Sequence, residues 1–197
     1  GAPASTPQYS TDLSNWINFE NNTNITVSAG EKIYMRSSNG LNFGNNDWEI
    51  ATTGDFSLGG NLSTLVDWTN KDSNTTFPNG FMKGFISLGS KTDLKSAEMV
   101  TTGNITTIGQ NSFYETFANA DKMTKGPDFS NITTIGDYGL CDCFNMSGLT
   151  TPPDLSSLTS IGAGGMANCF VNCVSLLSPP DLSNLTTVGS SGMESCF

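Results

Sequence analysis

"TPPDLSSLTSIGAGGMANCF" occupies residues 151–170, and "SPPDLSNLTTVGSSGMESCF" occupies residues 178–197. The second stretch restates the first, down to the double proline. An internal repeat of this kind decides the fold before any single motif does. "NITTIG" at 104–109 and 131–136 extends the series upstream. Gly109, Gly136, Gly162 and Gly189 stand 27, 26 and 27 residues apart. Phe117, Phe144, Phe170 and Phe197 keep the same steps, and so do Phe113, Leu140, Met166 and Met193. Three series in one register fix the unit.

Each unit divides into three parts. "GMANCFVNC" is apolar at i, i+3 and i+4, which predicts a helical turn or two. "SLLSPPDLSNL" is extended, because each Pro fixes its own φ and moves the preceding residue out of the α region. "LTTVG" or "LTSIG" is a short β-branched strand ended by Gly, whose free φ is expected to make the corner. One unit cannot bury its Leu, Ile and Phe side chains alone; stacked units can. The sequence therefore predicts a column of Phe144 on Phe170 and another of Leu155 on Leu182. "FMKGF" at 81–85 has the spacing of "FYETF" at 113–117 and is read as a worn first unit.

Upstream, "WINFENNTNITVSAGEKIYMR" alternates apolar and polar residues between Asn clusters and Gly, and "GDFSLGGNLSTLVDW" continues the pattern with Gly59-Gly60 as a turn. The expected class is α+β: a small N-terminal antiparallel β-domain followed by a leucine-rich repeat (α/β-type) solenoid. Residues 1–14 read as a linker or tag remnant, 15–80 as the β-domain with its connecting loop, and 81–197 as the repeats.

Composition limits the function. Net charge is −10 with only eight Lys plus Arg, so phosphate neutralisation cannot carry nucleic-acid binding, and anionic membrane surfaces repel the chain. No run of about 18 apolar residues spans a bilayer. There is no His, which removes the Ser-His and Cys-His pairs. No P-loop, GxSxG or helix-opening GxGxxG is present. Asp47 and Glu49 form the nearest local carboxylate pair, and they read equally well as one solvated strand face. The chain is expected to be no enzyme and to need no cofactor.

The five cysteines are Cys141, Cys143, Cys169, Cys173 and Cys196. They read as a column of free buried thiols, or as pairs such as Cys169 with Cys173 or Cys141 with a neighbour. Without His or CxxC they hold no metal. Asp128, Asp154 and Asp181 each follow Pro. They predict Asx turns, with a weak Ca²⁺ edge as the other reading. Eight Asn-x-Ser/Thr sequons occur, where composition alone supplies about five. Positions that vary between fixed apolar teeth are the candidate ligand-binding residues: Thr124 and Lys125, Thr150 and Thr151, Leu177 and Ser178.

The pattern "MxxCFxxCxxLxxPPDLSxLTxVG" resembles the leucine-rich repeats of BspA-type surface proteins, of the kind found in gut Bacteroidales and their phages. "VSAGEKIYMR…GDFSLGGNLSTL" resembles the small β-domain that precedes such repeats there. Two departures stand: the unit is longer than the shortest BspA-type unit, and the second Cys slot holds Ala120 and Ser147 in other copies. The resemblance implies a cell-surface, extracellular or virion-surface module that recognises or adheres to a protein or glycan on a host or neighbouring cell. The alternative is a structural subunit of a phage fibre, capsid decoration or surface filament. Because the chain stops on Phe197 without a polar cap, the native protein is expected to continue, or this end to dock onto a partner or a second copy.

Overall fold

A computed structural model of the chain describes residues 8–18, 25–26, 28, 30–36, 54–67, 72–83, 86 and 91–197. Ten strands and one short helix lie among these. β1 (Gln8–Ser10), β2 (Ile17–Asn18) and β3 (Tyr34–Arg36) form an antiparallel sheet in the order β2-β1-β3. β4 (Phe56–Asn61) precedes α1 (Ser63–Asp67), and β5 (Thr76–Phe77) follows it. β6 (Leu94–Thr101) then lies parallel to β4. The remaining strands are two residues each: β7 (Thr107–Ile108), β8 (Thr134–Ile135), β9 (Ser160–Ile161) and β10 (Thr187–Val188). They join β5 in a parallel sheet ordered β10-β9-β8-β7-β5.

The expected class, α+β with a leucine-rich repeat (α/β-type) solenoid, is corrected: the described chain is nearly all β. From Thr92 to Phe197 the chain holds strands, turns and extended segments and no helix, and α1 lies outside the repeats. The segments read as helical are instead a spiral of tight turns. Residues 111, 115 and 119 have positive φ, and so do 138, 142 and 146 in the next coil and 164, 168 and 172 in the one after. Every fourth residue thus resets the chain direction and breaks the α ladder. The amides alternate accordingly. Tyr114, Thr116 and Ala118 donate to carbonyls three residues back, while Phe113, Glu115, Phe117 and Asn119 donate to Gly139, Cys141, Cys143 and Asn145 of the next coil. A period of four and a period of 3.6 place apolar residues at the same i, i+3 and i+4 spacing. The sequence pattern could not separate them.

Strand register shows how coils of 26 and 27 residues stay aligned. Thr107 pairs with Thr134, and Thr134 with Ser160, which pairs with Thr187. The short coil lacks one residue between Ser147 and Leu149, where its neighbours have Asp121-Lys122 and Val174-Ser175. Gly148 closes the gap, and a Cβ there would stand 1.9 Å from the Asp121 carbonyl oxygen.

The corner glycines are needed for a different reason from the one expected. Gly109, Gly136, Gly162 and Gly189 do not have positive φ. They lie hard against the preceding coil: a Cβ on Gly109 would come within 2.4 Å of the Phe77 carbonyl oxygen, and one on Gly189 within 2.7 Å of the Ala163 nitrogen. Gly59 and Gly60 likewise do not form the expected turn. They lie inside β4, where the register against β6 shifts.

Stacking builds the core as columns. Phe117, Phe144, Phe170 and Phe197 stack with centroids 5.5, 5.5 and 5.6 Å apart and rings within 9° of parallel. Ile108, Ile135 and Ile161, paired in strand register, form a second buried column. Leu155 is fully buried, and Leu182 of the last coil packs against the core while partly exposed.

The strands depart from both expected boundaries and from the expected register of the first coil. Gln8–Ser10, within the expected linker, is the central strand of the antiparallel sheet, and Ser10 is buried. The parallel stack starts at Thr76 rather than at residue 81. Thr76 pairs with Thr107, so the first coil is 31 residues long and Met82, not Phe81, stands in register with Phe113. The Met82 amide bonds the Ser112 carbonyl as the Phe113 amide bonds that of Gly139. Phe85 lies outside the described residues.

Candidate functional site

Opposite the turn spiral, the extended segments of successive coils lie side by side. The Ala97 amide donates to the Lys125 carbonyl at 3.1 Å, and the Asp128 amide to the Val100 carbonyl at 2.9 Å. Lys125 bridges to Thr151 in parallel register. The Thr150 amide donates to Thr124 at 3.0 Å, and the Leu177 amide to Thr150 at 3.2 Å. Four passes of chain, starting at β6, therefore make one continuous strip.

The predicted positions meet on that strip. Thr124, Lys125, Thr151, Leu177 and Ser178 are exposed, Leu177 by 86%. Thr150 is half-buried, and its hydroxyl donates to the Thr124 carbonyl at 3.2 Å, so it clips two coils together. The repeat comparison missed β6, which carries no copy of the unit. β6 adds Met99, 74% exposed, and Glu98, whose carboxylate holds the Lys125 ammonium at 2.5 Å. No period-two alternation marks "LKSAEMVT": its buried residues, Leu94, Ala97 and Val100, stand three apart. Between these passes lies a shallow groove of about 270 Å³ lined by Glu98, Lys125, Pro127, Thr151, Pro152 and Asp154.

The Asp series borders the groove. Asp128, Asp154 and Asp181 each accept the backbone N–H of Ser130, Ser156 and Ser183 at 2.9 Å, which is the Asx-turn geometry. The Ser156 amide holds the Asp154 carboxyl below its ordinary range, against partial burial and the Asp181 charge, which push it up. The Ser183 amide lowers Asp181 in the same way. Among the described residues no group of three or more Asp, Glu or Cys side chains converges as a metal site would require, and these three carboxylates form a row rather than a cage.

All five cysteines are free and buried. The Cys173 thiol donates to the Phe144 carbonyl at 3.0 Å and touches the Ser147 hydroxyl at 3.4 Å. Burial drives the Cys143 and Cys169 thiols well above their ordinary range and pushes Cys196 up to about 12. Burial and the adjacent Asp142 carboxylate raise Cys141 to about 12 as well. Such thiols are poor nucleophiles.

The recurring sequon also has a packing role. Asn104, Asn131 and Asn184 donate their side-chain amides to the carbonyls of Asp72, Gly103 and Ser156 in the preceding coil. The hydroxyls of Thr133 and Thr186, two residues on in the last two of these, donate to Thr106 and Thr159. The "N-x-T" phrase is thus a pair of coil-to-coil clips. Asp47 and Glu49 lie outside the described residues. Among those residues no helix is long and apolar enough to cross a membrane. Comparison with protein-family models, with curated proteins and with solved structures finds no match.

Proposed function

We propose that the chain is a non-catalytic recognition module that binds a macromolecular partner through the strip formed by residues 97–101, 124–128, 150–154 and 177–181. One observation carries this reading. Thr124, Lys125, Thr151, Leu177 and Ser178, which differ between copies, are exposed on this strip, while the apolar teeth Met123, Phe129, Leu149 and Leu155 beneath them are buried. Variation over a fixed frame is how stacked-repeat proteins make a binding face. The resemblance to BspA-type surface proteins supports the same reading and puts the module on a cell or virion surface, facing a host or neighbouring cell. The absence of His from the sequence and the inert state of the thiols agree with a binding role rather than a catalytic one.

The test is selection on the immobilised chain from a random peptide display library and a glycan array. A variant with Lys125→Ala, Thr151→Ala and Ser178→Ala serves as the counter-target. These side chains are exposed, so the variant keeps the fold. Ligands retained by the parent and lost by the variant are expected. Equal recovery on both, or no ligand at all, overturns the reading.

A further inference from the structure

We infer that the strip receives an extended polypeptide segment bearing Lys or Arg side chains; this rests on the recognition reading above and names its partner. The groove between the passes is lined by Pro127, Thr151 and Pro152, with Met99 exposed on one side and Leu177 on the other. It offers apolar contact along the strip, and the described residues that line it include no aromatic ring on which the face of a sugar could lie. The charge along its border has one sign. Asp128, Asp154 and Asp181 sit on successive coils, about 5 Å apart as neighbouring strands are, and all three are exposed. Among the described residues that line the groove the cation is Lys125, and it is already held by Glu98. Like charges in facing positions work against the stack, and the Asp181 charge acts on Asp154 in that sense. Each carboxylate accepts the amide of its own turn through Oδ1, which fixes its direction, and Ser156 and Ser183 add a side-chain bond at Asp154 and Asp181; all three remain exposed to a donor from outside. A partner ammonium or guanidinium lying along the row relieves that repulsion and gains charge-assisted hydrogen bonds. A phosphate-bearing partner meets the opposite effect.

The random-peptide selection decides the matter with one further variant, Asp128→Asn with Asp154→Asn and Asp181→Asn. Asn keeps the Asx turn and removes only the charge. Peptides recovered on the parent are expected to be rich in Lys and Arg. A synthetic copy of one should lose at least about tenfold in affinity on the triple Asn variant, and should weaken between about 50 and about 300 mM salt. Peptides that need Lys125, Thr151 and Ser178 yet bind the triple Asn variant as well as the parent overturn this inference and leave the recognition reading standing. An equal loss on neutralising Asp137 and Glu194, which lie off the strip, shows mere attraction to net charge and also overturns it. Absence of any strip-dependent peptide or glycan overturns both.

Discussion

At the scale of single residues, two positions carry the tightest constraints. Gly148 lets the short coil pass the Asp121 carbonyl, and its own amide donates to Ala120 at 3.0 Å. Gly148→Ala must push two backbones apart. It is expected to cost about 1–3 kcal/mol, as overpacking does, read as a lower urea midpoint; an unchanged midpoint means that the coil spacing adapts freely. Met146 presents the opposite case. Its φ is +57°, a left-handed conformation that costs an ordinary side chain roughly 1–2 kcal/mol. Asn119 and Asn172 hold the equivalent places in the neighbouring coils, and Asn tolerates this conformation. Met146→Asn removes a half-exposed side chain and part of the strain, so it should raise stability by about 0.5–1 kcal/mol. A loss of stability would show that the Met146 side chain packs better than its exposure implies. Neither residue stands out in the sequence. Gly148 is visible only as the place where 27 becomes 26, and positive φ at Met, Tyr or Glu has no sequence signal.

At the scale of elements, the repeat register was legible and the secondary structure was not. The steps of 27, 26 and 27 placed Phe144 under Phe170, and the rings do stack. The strand in each unit was legible from its β-branched pair, although it shrinks to two residues. The turn spiral was read as helix because an apolar spacing of three and four residues fits both. What distinguishes them is the pattern of amide donors: every second N–H leaves its own coil for the next. That bond pattern makes each coil dependent on its neighbour, so damage at one level reaches the next. Phe170 is 2% exposed and is sandwiched between Phe144 and Phe197. Phe170→Ala leaves a cavity across three coils and should cost about 3–5 kcal/mol. A single cooperative transition at lower denaturant is expected. A variant as stable as the parent would show that the column contributes little to holding the coils together.

At the scale of the whole molecule, charge and burial set the range of pH over which the stack holds. The acid side follows from carboxylates held below their ordinary range: Asp55 by Lys122 and Lys95, Asp154 by the Ser156 amide and Asp181 by the Ser183 amide. A lowered folded pKa stabilises above the unfolded value, near 4, and that contribution fades as pH falls through the folded one. The alkaline side belongs to the thiols and was only half legible. Their repeat spacing places Cys143, Cys169 and Cys196 in one buried column, but their ionisation depends on how completely the coils close over them. Their folded pKa values are raised, so the folded chain keeps protons that the unfolded chain releases above about pH 8.5. Their contribution is therefore complete below that pH and is lost as pH rises. Each thiol lowers stability by at most about 1.4 kcal/mol per pH unit there. Tyr114, raised to about 12 by burial and the Glu115 charge, enters only above the ordinary tyrosine value near 10. Between about pH 8.5 and 10 the slope thus reports the cysteines. Urea unfolding across this window should show stability falling with pH in the parent, and falling less steeply after Cys143→Ala with Cys169→Ala. If the parent shows no slope, or the double variant keeps all of it, the thiols are not the groups whose burial limits the stack at high pH.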